Sequence, residues 1–250
     1  MRTRVAYVSG GGTGIGRAIA AALADEGAHV VLFGRREQVL AGTAQELTAR
    51  YPEAKVVWQA ADLTDPEQVQ AAVAGAVGQV GESVDVLVNN AGGAEPGTPA
   101  TLSGIAAEWR RCFDRNVLTA VLLTNVVLPR LCRPGGRIVT ISSIAGLRGP
   151  GSYGAAKAAL HAWNHGLASS LGGEGITANV VAPGFVPDTE FWAGRLSDEL
   201  YRAKVAETLV GRAGTPADVA GAVRWLAGAE SGFVTGQIVQ VNGGVLLGHG

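Results

Sequence analysis

The sequence predicts an α/β protein: a doubly wound parallel sheet of about seven strands with helices on both faces. Three observations carry this prediction. Short β-branched runs alternate with alanine-rich helical stretches at a spacing of about 25–30 residues. The runs are largely continuous in apolar residues rather than alternating, as strands buried on both faces require. Glycine, 37 of 250 residues, gathers at the ends of those runs, where the chain must turn.

The candidate strands are Val5–Val8, His29–Phe33, Lys55–Ala60, Val84–Asn89, Arg137–Ser142, Thr177–Ala182 and Ile238–Val241. Between them the helices carry start and stop signals. Gly27 is placed to end the helix that follows the first glycine loop. Thr64-Asp65-Pro66-Glu67 supplies an N-cap and a proline at the first helical position. Thr215-Pro216-Ala217-Asp218 does the same later, with Asp218 placed for a capping box. Repeated βα units joined by right-handed crossovers close the doubly wound sheet, whose ligands sit beyond the carboxyl ends of the strands. No linker, charge block or internal repeat divides the chain, so residues 1–250 read as a single domain.

Composition narrows the function. Charged residues make up 16% and the net charge is −1, which gives no electrostatic reason to bind nucleic acid or an anionic membrane. No apolar run approaches the roughly 18 residues of a membrane span. Met1-Arg2-Thr3-Arg4-Val5 is basic but leads into a short apolar stretch and then glycines, unlike a secretory signal. Cys112 and Cys132 show neither metal spacing nor a disulfide framework. These features predict a soluble, cytoplasmic protein.

The first predicted strand runs into Ser9-Gly10-Gly11-Gly12-Thr13-Gly14-Ile15-Gly16 and then an alanine-rich helix. Glycines at that junction let the backbone approach a pyrophosphate, and the helix N-terminus favours its negative charge. A tight turn with no ligand would look similar; the position between strand and helix points to a dinucleotide. The second strand ends in Phe33-Gly34-Arg35-Arg36, with no carboxylate to take the ribose hydroxyls. Arg35 and Arg36 can pair with a 2′-phosphate, which favours NADP (NADPH), or can simply be solvated. Further along, Tyr153 and Lys157 stand four apart on a predicted helix, hence on one face. A lysine ammonium beside a phenol favours the phenolate and so should lower the tyrosine's pKa, fitting it for proton transfer.

On these motifs the chain resembles the single-domain short-chain dehydrogenase/reductases, a Rossmann-fold family, and among them the 3-oxoacyl-(acyl carrier protein) reductase-like ketoreductases. The resemblance runs over essentially all 250 residues. The family's glycine motif falls on Gly10, Gly14 and Gly16, with Gly12, Thr13 and Ile15 between them. Its adenine-contacting pair falls on Asp62-Leu63, and its Asn-Asn-Ala-Gly on Asn89, Asn90, Ala91 and Gly92. Its Pro-Gly segment beside the nicotinamide falls on Pro183 and Gly184, followed by Phe185, Val186 and Thr189. The catalytic tetrad falls on Asn116, Ser143, Tyr153 and Lys157. The ending Thr235-Gly236-Gln237 to Asn242-Gly243-Gly244 also matches.

The resemblance implies an NADPH-dependent enzyme that reduces a ketone to a secondary alcohol. Ser143 would polarise the carbonyl and Tyr153 would protonate its oxygen. Lys157 would hold the nicotinamide ribose and Asn116 would anchor a proton-relaying water. It also implies a homotetramer built through the Lys157-bearing helix and the last strand. Oxidation of a free alcohol, sugar or steroid, or a non-catalytic dinucleotide-sensing role, are the alternatives.

Three departures from the family pattern stand out. Ser143 and Tyr153 are ten residues apart rather than thirteen; counting thirteen back reaches Thr140 inside a strand, so a three-residue deletion in Ile144–Ser152 is the better explanation, and it suggests a more open pocket. One extra residue stands before Thr189, in Val186-Pro187-Asp188. Glu174 stands where carrier-protein reductases often place a cation, with Arg130 and Arg133 available to compensate or merely solvated. His161 and His165 have zinc-compatible spacing but no third ligand, so no metal is expected and packing against a neighbouring subunit is the reading. Phe191 and Trp192 either line the pocket or join the core, and Glu95 faces either substrate or water.

Overall fold

The computed structural model describes residues 3–94, 97 and 99–248. The strands are β1 (Val5–Ser9), β2 (His29–Gly34), β3 (Val56–Ala60), β4 (Val86–Asn89), β5 (Arg137–Ile141), β6 (Thr177–Pro183) and β7 (Ile238–Val241). They form one sheet in the order β3-β2-β1-β4-β5-β6-β7, and every neighbouring pair is parallel. The strand order reverses between β1 and β4, which opens the crevice where doubly wound sheets bind ligands.

Helices α1 (Gly14–Asp25), α2 (Glu37–Arg50) and α9 (Pro216–Ala227) cover one face. On the other face lie α3 (Pro66–Val80), α5 (Thr119–Val127) and α7 (Gly151–Leu171). The strands feed both layers by alternation. In β1, Ala6 and Val8 join the first core while Val5 and Tyr7 join the second; in β2, Val30 and Leu32 oppose Val31 and Phe33 in the same way. Burial on both faces is why the middles of these two strands, Val5–Val8 and Val30–Phe33, are apolar at successive positions. α4 (Leu102–Phe113), the single turn α6 (Ala145–Arg148) and α8 (Asp198–Ala206) complete the helices used below.

The punctuation follows the sequence signals. Gly27 takes φ +78° just past α1, and the N–H of Ala28 bonds back to Leu23 O. Asp65 accepts from the N–H groups of Glu67 and Gln68 at the start of α3, with Pro66 at the first position. Thr215 and Asp218 form the capping box of α9. Two strands start later than expected: β3 at Val56 and β4 at Val86, with Val84 reduced to a single bridge to Leu131. The sequence also gave no sign that α4 runs into α5 through a π-helical turn, Asp114–Leu118. No described helix is long and apolar enough to cross a membrane.

Candidate active site

A cleft of about 960 Å³ runs along the carboxyl ends of β1, β2, β4, β5 and β6. The glycine loop from Gly12 to Gly16 with Gly10, Arg35 and Arg36, Asp62 and Leu63, Asn90 to Gly92, and Pro183, Gly184, Val186 and Thr189 line it, together with Ser143, Tyr153 and Lys157, whereas Asn89 does not. Its floor is the loop between β1 and α1. Gly10 and Gly14 have φ of +63° and +51°, and a Cβ on Gly16 would stand 2.1 Å from Gly10 O, so no side chain fits there. Asn90 braces the loop from β4: its Nδ2 donates to Ser9 O at 3.0 Å and Gly10 O at 3.2 Å. Ser9 Oγ in turn accepts from the N–H groups of Asn90 and Ala91 at 2.9 and 3.0 Å. At the start of α1, Thr13 makes no side-chain cap and the first turn holds no acid, whereas Asp65, Thr101, Ser197 and Thr215 cap α3, α4, α8 and α9. Uncapped N–H groups beside a glycine cradle suit a pyrophosphate.

At the far end, Asp62 accepts from Thr64 N at 3.0 Å and Thr64 Oγ1 at 2.8 Å; the backbone bond from Thr64 holds its carboxyl below the usual range. Arg35 and Arg36 lie exposed past the end of β2, with no acid between Phe33 and Arg36. This donor set fits a 2′-phosphate. Arg36 carries a partner that sequence reasoning missed. Both carboxylate oxygens of Glu190 accept from its guanidinium at 2.7 Å, and Glu190 also bonds the Thr13 side chain. That arginine hydrogen bond keeps Glu190 below the usual carboxylate range.

At the near end, β5 and α7 bring Ser143, Tyr153 and Lys157 together. Ser143 hydrogen-bonds the Tyr153 side chain, and its Oγ accepts from Ala145 N at 3.1 Å. Thr140, the other serine-position candidate, is fully buried in β5 and its hydroxyl has no partner. Lys157 is 4% exposed, donates to Ile141 O at 3.1 Å, and holds Nζ 5.7 Å from the centroid of the Tyr153 ring. Asn116, in the π-helical turn, donates to Gly93 O at 2.8 Å and Cys112 O at 2.9 Å and accepts from Gly93 N at 3.0 Å. A Cβ on Gly92 would stand 2.6 Å from Asn116 Oδ1 and 3.1 Å from Lys157 Nζ, so this glycine lets both side chains converge. A π-turn at a functional position is a recurrent device.

The electrostatics reverse one expectation. Burial, not Lys157, dominates the tyrosine, whose pKa is pushed up to about 12, with the Ser143 hydrogen bond working against it. Lysine burial acts likewise, pulling Lys157 down to about 8. The physical reason is desolvation: Lys157 is buried and Tyr153 is packed deep in the cleft, and each charged form is disfavoured.

The segment after β6 folds over the site. Phe191 packs its ring 5.5 Å from that of Tyr153, and Trp192 meets Phe185 edge-on at 5.1 Å. Both aromatic side chains therefore line the cleft rather than the core. His161 points inward at 7% exposed instead of toward a neighbouring subunit, while His165 is exposed. Glu174 pairs with Arg133, and Arg130 with Glu82 at 3.5 Å, so each arginine has its own carboxylate partner. Glu95 lies outside the described residues.

Comparison with known proteins places this geometry among relatives. The family model described as "Enoyl-(Acyl carrier protein) reductase" matches residues 10–246. The chain is 36% identical over 246 residues to the 3-oxoacyl-[acyl-carrier-protein] reductase FabG of Chlamydia muridarum, covering 97% of each protein. Among solved structures it superposes on a variant of actinorhodin polyketide ketoreductase with NADPH, at a TM-score of 0.86 and 32% identity, covering 97% of each chain. The Pseudomonas aeruginosa RhlG/NADP active-site complex gives the same TM-score, 0.86, and 32% identity over 97% of this chain and 96% of that one.

Proposed function

The chain belongs to the short-chain dehydrogenase/reductase family, and we propose that it acts there as an NADPH-dependent ketoreductase, reducing a 3-oxoacyl-like or other small ketone with Tyr153 as general acid. The observation that carries this reading is the Ser143–Tyr153 hydrogen bond beside buried Lys157, at the opposite end of the cleft from Arg35 and Arg36. The NADP complexes of its structural neighbours support the cofactor.

Gly10 to Gly16 and the α1 N-terminus would hold the pyrophosphate, Asp62 and Leu63 the adenine, and Arg35 and Arg36 the 2′-phosphate. Asn90 to Gly92, Pro183, Gly184, Val186 and Thr189 would flank the nicotinamide half. NADPH, when bound, supplies the hydride. The protein's own residues supply the rest. Ser143 donates its hydroxyl to the ketone oxygen and stabilises the charge developing there. Tyr153 delivers its phenolic proton to the same oxygen. A nascent alkoxide has a basicity comparable to hydroxide, the conjugate base of water at about 15.7, so a phenol near 12 still protonates it downhill. Charged Lys157 then stabilises the phenolate left behind. Asn116 braces the Gly92–Gly93 backbone from one side while Lys157 closes the other.

A homotetramer agrees with β7 standing at the edge of the sheet, with β6 as its one strand neighbour among the described residues, and with the fully exposed Phe233 ring. The test is a panel of ketones, including 3-oxoacyl thioesters, followed by loss of NADPH absorbance; no turnover of any member with either nicotinamide would overturn the reading.

A further inference from the structure

His161 continues a stripe on α7. Tyr153, Lys157 and His161 are spaced by four, so all three side chains leave the helix on one face. The ring of His161 does not line the cleft; it reaches Ser142, just past the end of β5 and next to the catalytic serine. Its Nε2 lies 2.7 Å from Ser142 Oγ, and the same hydroxyl lies 3.1 Å from Lys157 O. Ser142 is buried, pairs in the sheet through its N–H to Val181 O, and is the immediate neighbour of Ser143. The third side of the ring is the α6 turn inside the shortened Ile144–Ser152 segment. A Cβ on Gly146 would stand 2.8 Å from His161 Cε1 and 2.8 Å from Lys157 C, so this turn lies directly on the imidazole and the Lys157 peptide.

The direction of the bonds follows from the partners. A backbone carbonyl only accepts, so the single hydroxyl proton of Ser142 goes to Lys157 O, and His161 must present Nε2–H to Ser142 Oγ. A neutral imidazole with its proton on Nε2 meets that need, and burial together with the charges of His165 and Lys157 keeps the ring's pKa low. The result is a two-bond tether, His161 to Ser142 to Lys157 O, that joins the end of β5 to the turn of α7 bearing the proton-transfer pair.

We infer that His161 is a positioning residue for this reductase: through Ser142 it fixes the placement of Ser143 relative to Tyr153 and Lys157. The inference rests on the ketoreductase reading for its kinetic consequence, though the tether itself does not. Its role matters most here because the loop from Ser143 to Tyr153 is short, so an error at the end of β5 passes directly to the serine. Misplacing a catalytic group by a fraction of its hydrogen-bond length is felt in kcat more than in binding.

The test compares His161→Leu, which fills the space without a donor, with His161→Gln, whose amide N–H reaches roughly the place of Nε2. The Leu variant should lose roughly tenfold in kcat, the order expected of one hydrogen bond expressed in the transition state. Its NADPH Kd, read by fluorescence, should stay within about twofold, and His161→Gln should recover most of the rate. Ser142→Ala cuts the same tether with a minimal change in volume and serves if the Leu variant folds poorly. The double variant should be no slower than either single one. Leu and Gln variants equally slow, or both at wild-type rate, would overturn the inference. An independent arm needs no turnover: nitrogen NMR of the histidines should show His161 as the Nε2–H tautomer, perturbed by Ser142→Ala. An Nδ1–H tautomer, or no response to Ser142→Ala, overturns the tether whatever the enzyme reduces. A Tyr153→Phe variant that keeps full turnover would instead strike at the ketoreductase reading and leave the NMR result standing.

Discussion

The carboxylate of Glu190 grips the guanidinium of Arg36 through two hydrogen bonds of 2.7 Å, although 154 residues separate them. One partner is the cation proposed to take the 2′-phosphate; the other is the first residue of the 3₁₀ turn whose next residue, Phe191, lies on the ring of Tyr153. Glu190 therefore offers Arg36 an internal anion where the cofactor would offer a phosphate. Both side chains are more than half exposed, so the pair is worth only about 0.2–1 kcal/mol. Glu190→Gln should accordingly tighten NADPH, and 2′,5′-ADP as a fragment, by up to about fivefold. Arg36→Ala should weaken both by roughly tenfold, the worth of a charge-assisted bond, and leave NADH unchanged. Calorimetric titration with each nucleotide checks this; equal affinity of the wild-type protein for NADH and NADPH would contradict the assignment of the arginines.

Lys157 makes a linked prediction about stability and pH. Burial lowers its pKa from 10.5 to about 8, so the folded state holds fewer protons than the unfolded state between those values. The penalty for burying the ammonium is fully present below about pH 8 and fades as pH rises toward 10.5. Its size is of the order of 3 kcal/mol. Lys157→Met should therefore be more stable than wild type at pH 7, with the gap closing by pH 10, while losing ketone reduction. Denaturant unfolding of both proteins at the two pH values reads the difference. In wild type, kcat for reduction should fall as pH passes 8 and the stabilising charge is lost.

The serine assignment has its own contrast. Ser143 bonds the tyrosine, whereas the Thr140 hydroxyl is buried without a partner. Ser143→Ala should lower kcat by roughly 10²–10³, the usual worth of one oxyanion donor. Thr140→Val should leave kcat intact and cost little or no stability, because it removes an unsatisfied buried polar atom. A damaging Thr140→Val with a mild Ser143→Ala would move the deletion in the loop to the other side of the serine.

Substrate delivery can be tested from the pairing of Arg133 with Glu174 and of Arg130 with Glu82. Each arginine has a carboxylate beside it, so this edge offers little net positive charge to an acidic carrier protein. The expected outcome is that a 3-oxoacyl group on a small thioester is reduced at least as well as on a carrier. Paired kcat/KM values at low and moderate salt decide it; a large carrier preference that fades with salt would overturn this expectation.

Much of this was legible in the chain because it rests on local rules. Strands such as Val30–Phe33 are apolar at every position because both cores claim them, and that pattern needs no partner to be read. The glycine cradle and the four-residue spacing of Tyr153 and Lys157 are similarly local. What escaped depends on tertiary neighbours. The Glu190–Arg36 pair joins distant segments, and the π-turn at Asn116 has no signature in Asp114-Arg115-Asn116-Val117. The sign of the shift at Tyr153 was misread because spacing reveals the lysine's charge but not the depth of burial. His161, read as packing against a neighbouring subunit, turned inward because Ser142 and the α6 turn supply a niche that the helix pattern alone does not show.

The most direct test of the central claim, that Tyr153 is the acid of a ketone reduction, is single-turnover kinetics of Tyr153→Phe alongside its NADPH Kd. Phenylalanine keeps the packing against Phe191 and removes only the hydroxyl. The account predicts an unchanged Kd and a kcat lower by roughly 10²–10⁴, about 3–5 kcal/mol of barrier. Turnover within a fewfold of wild type would contradict it.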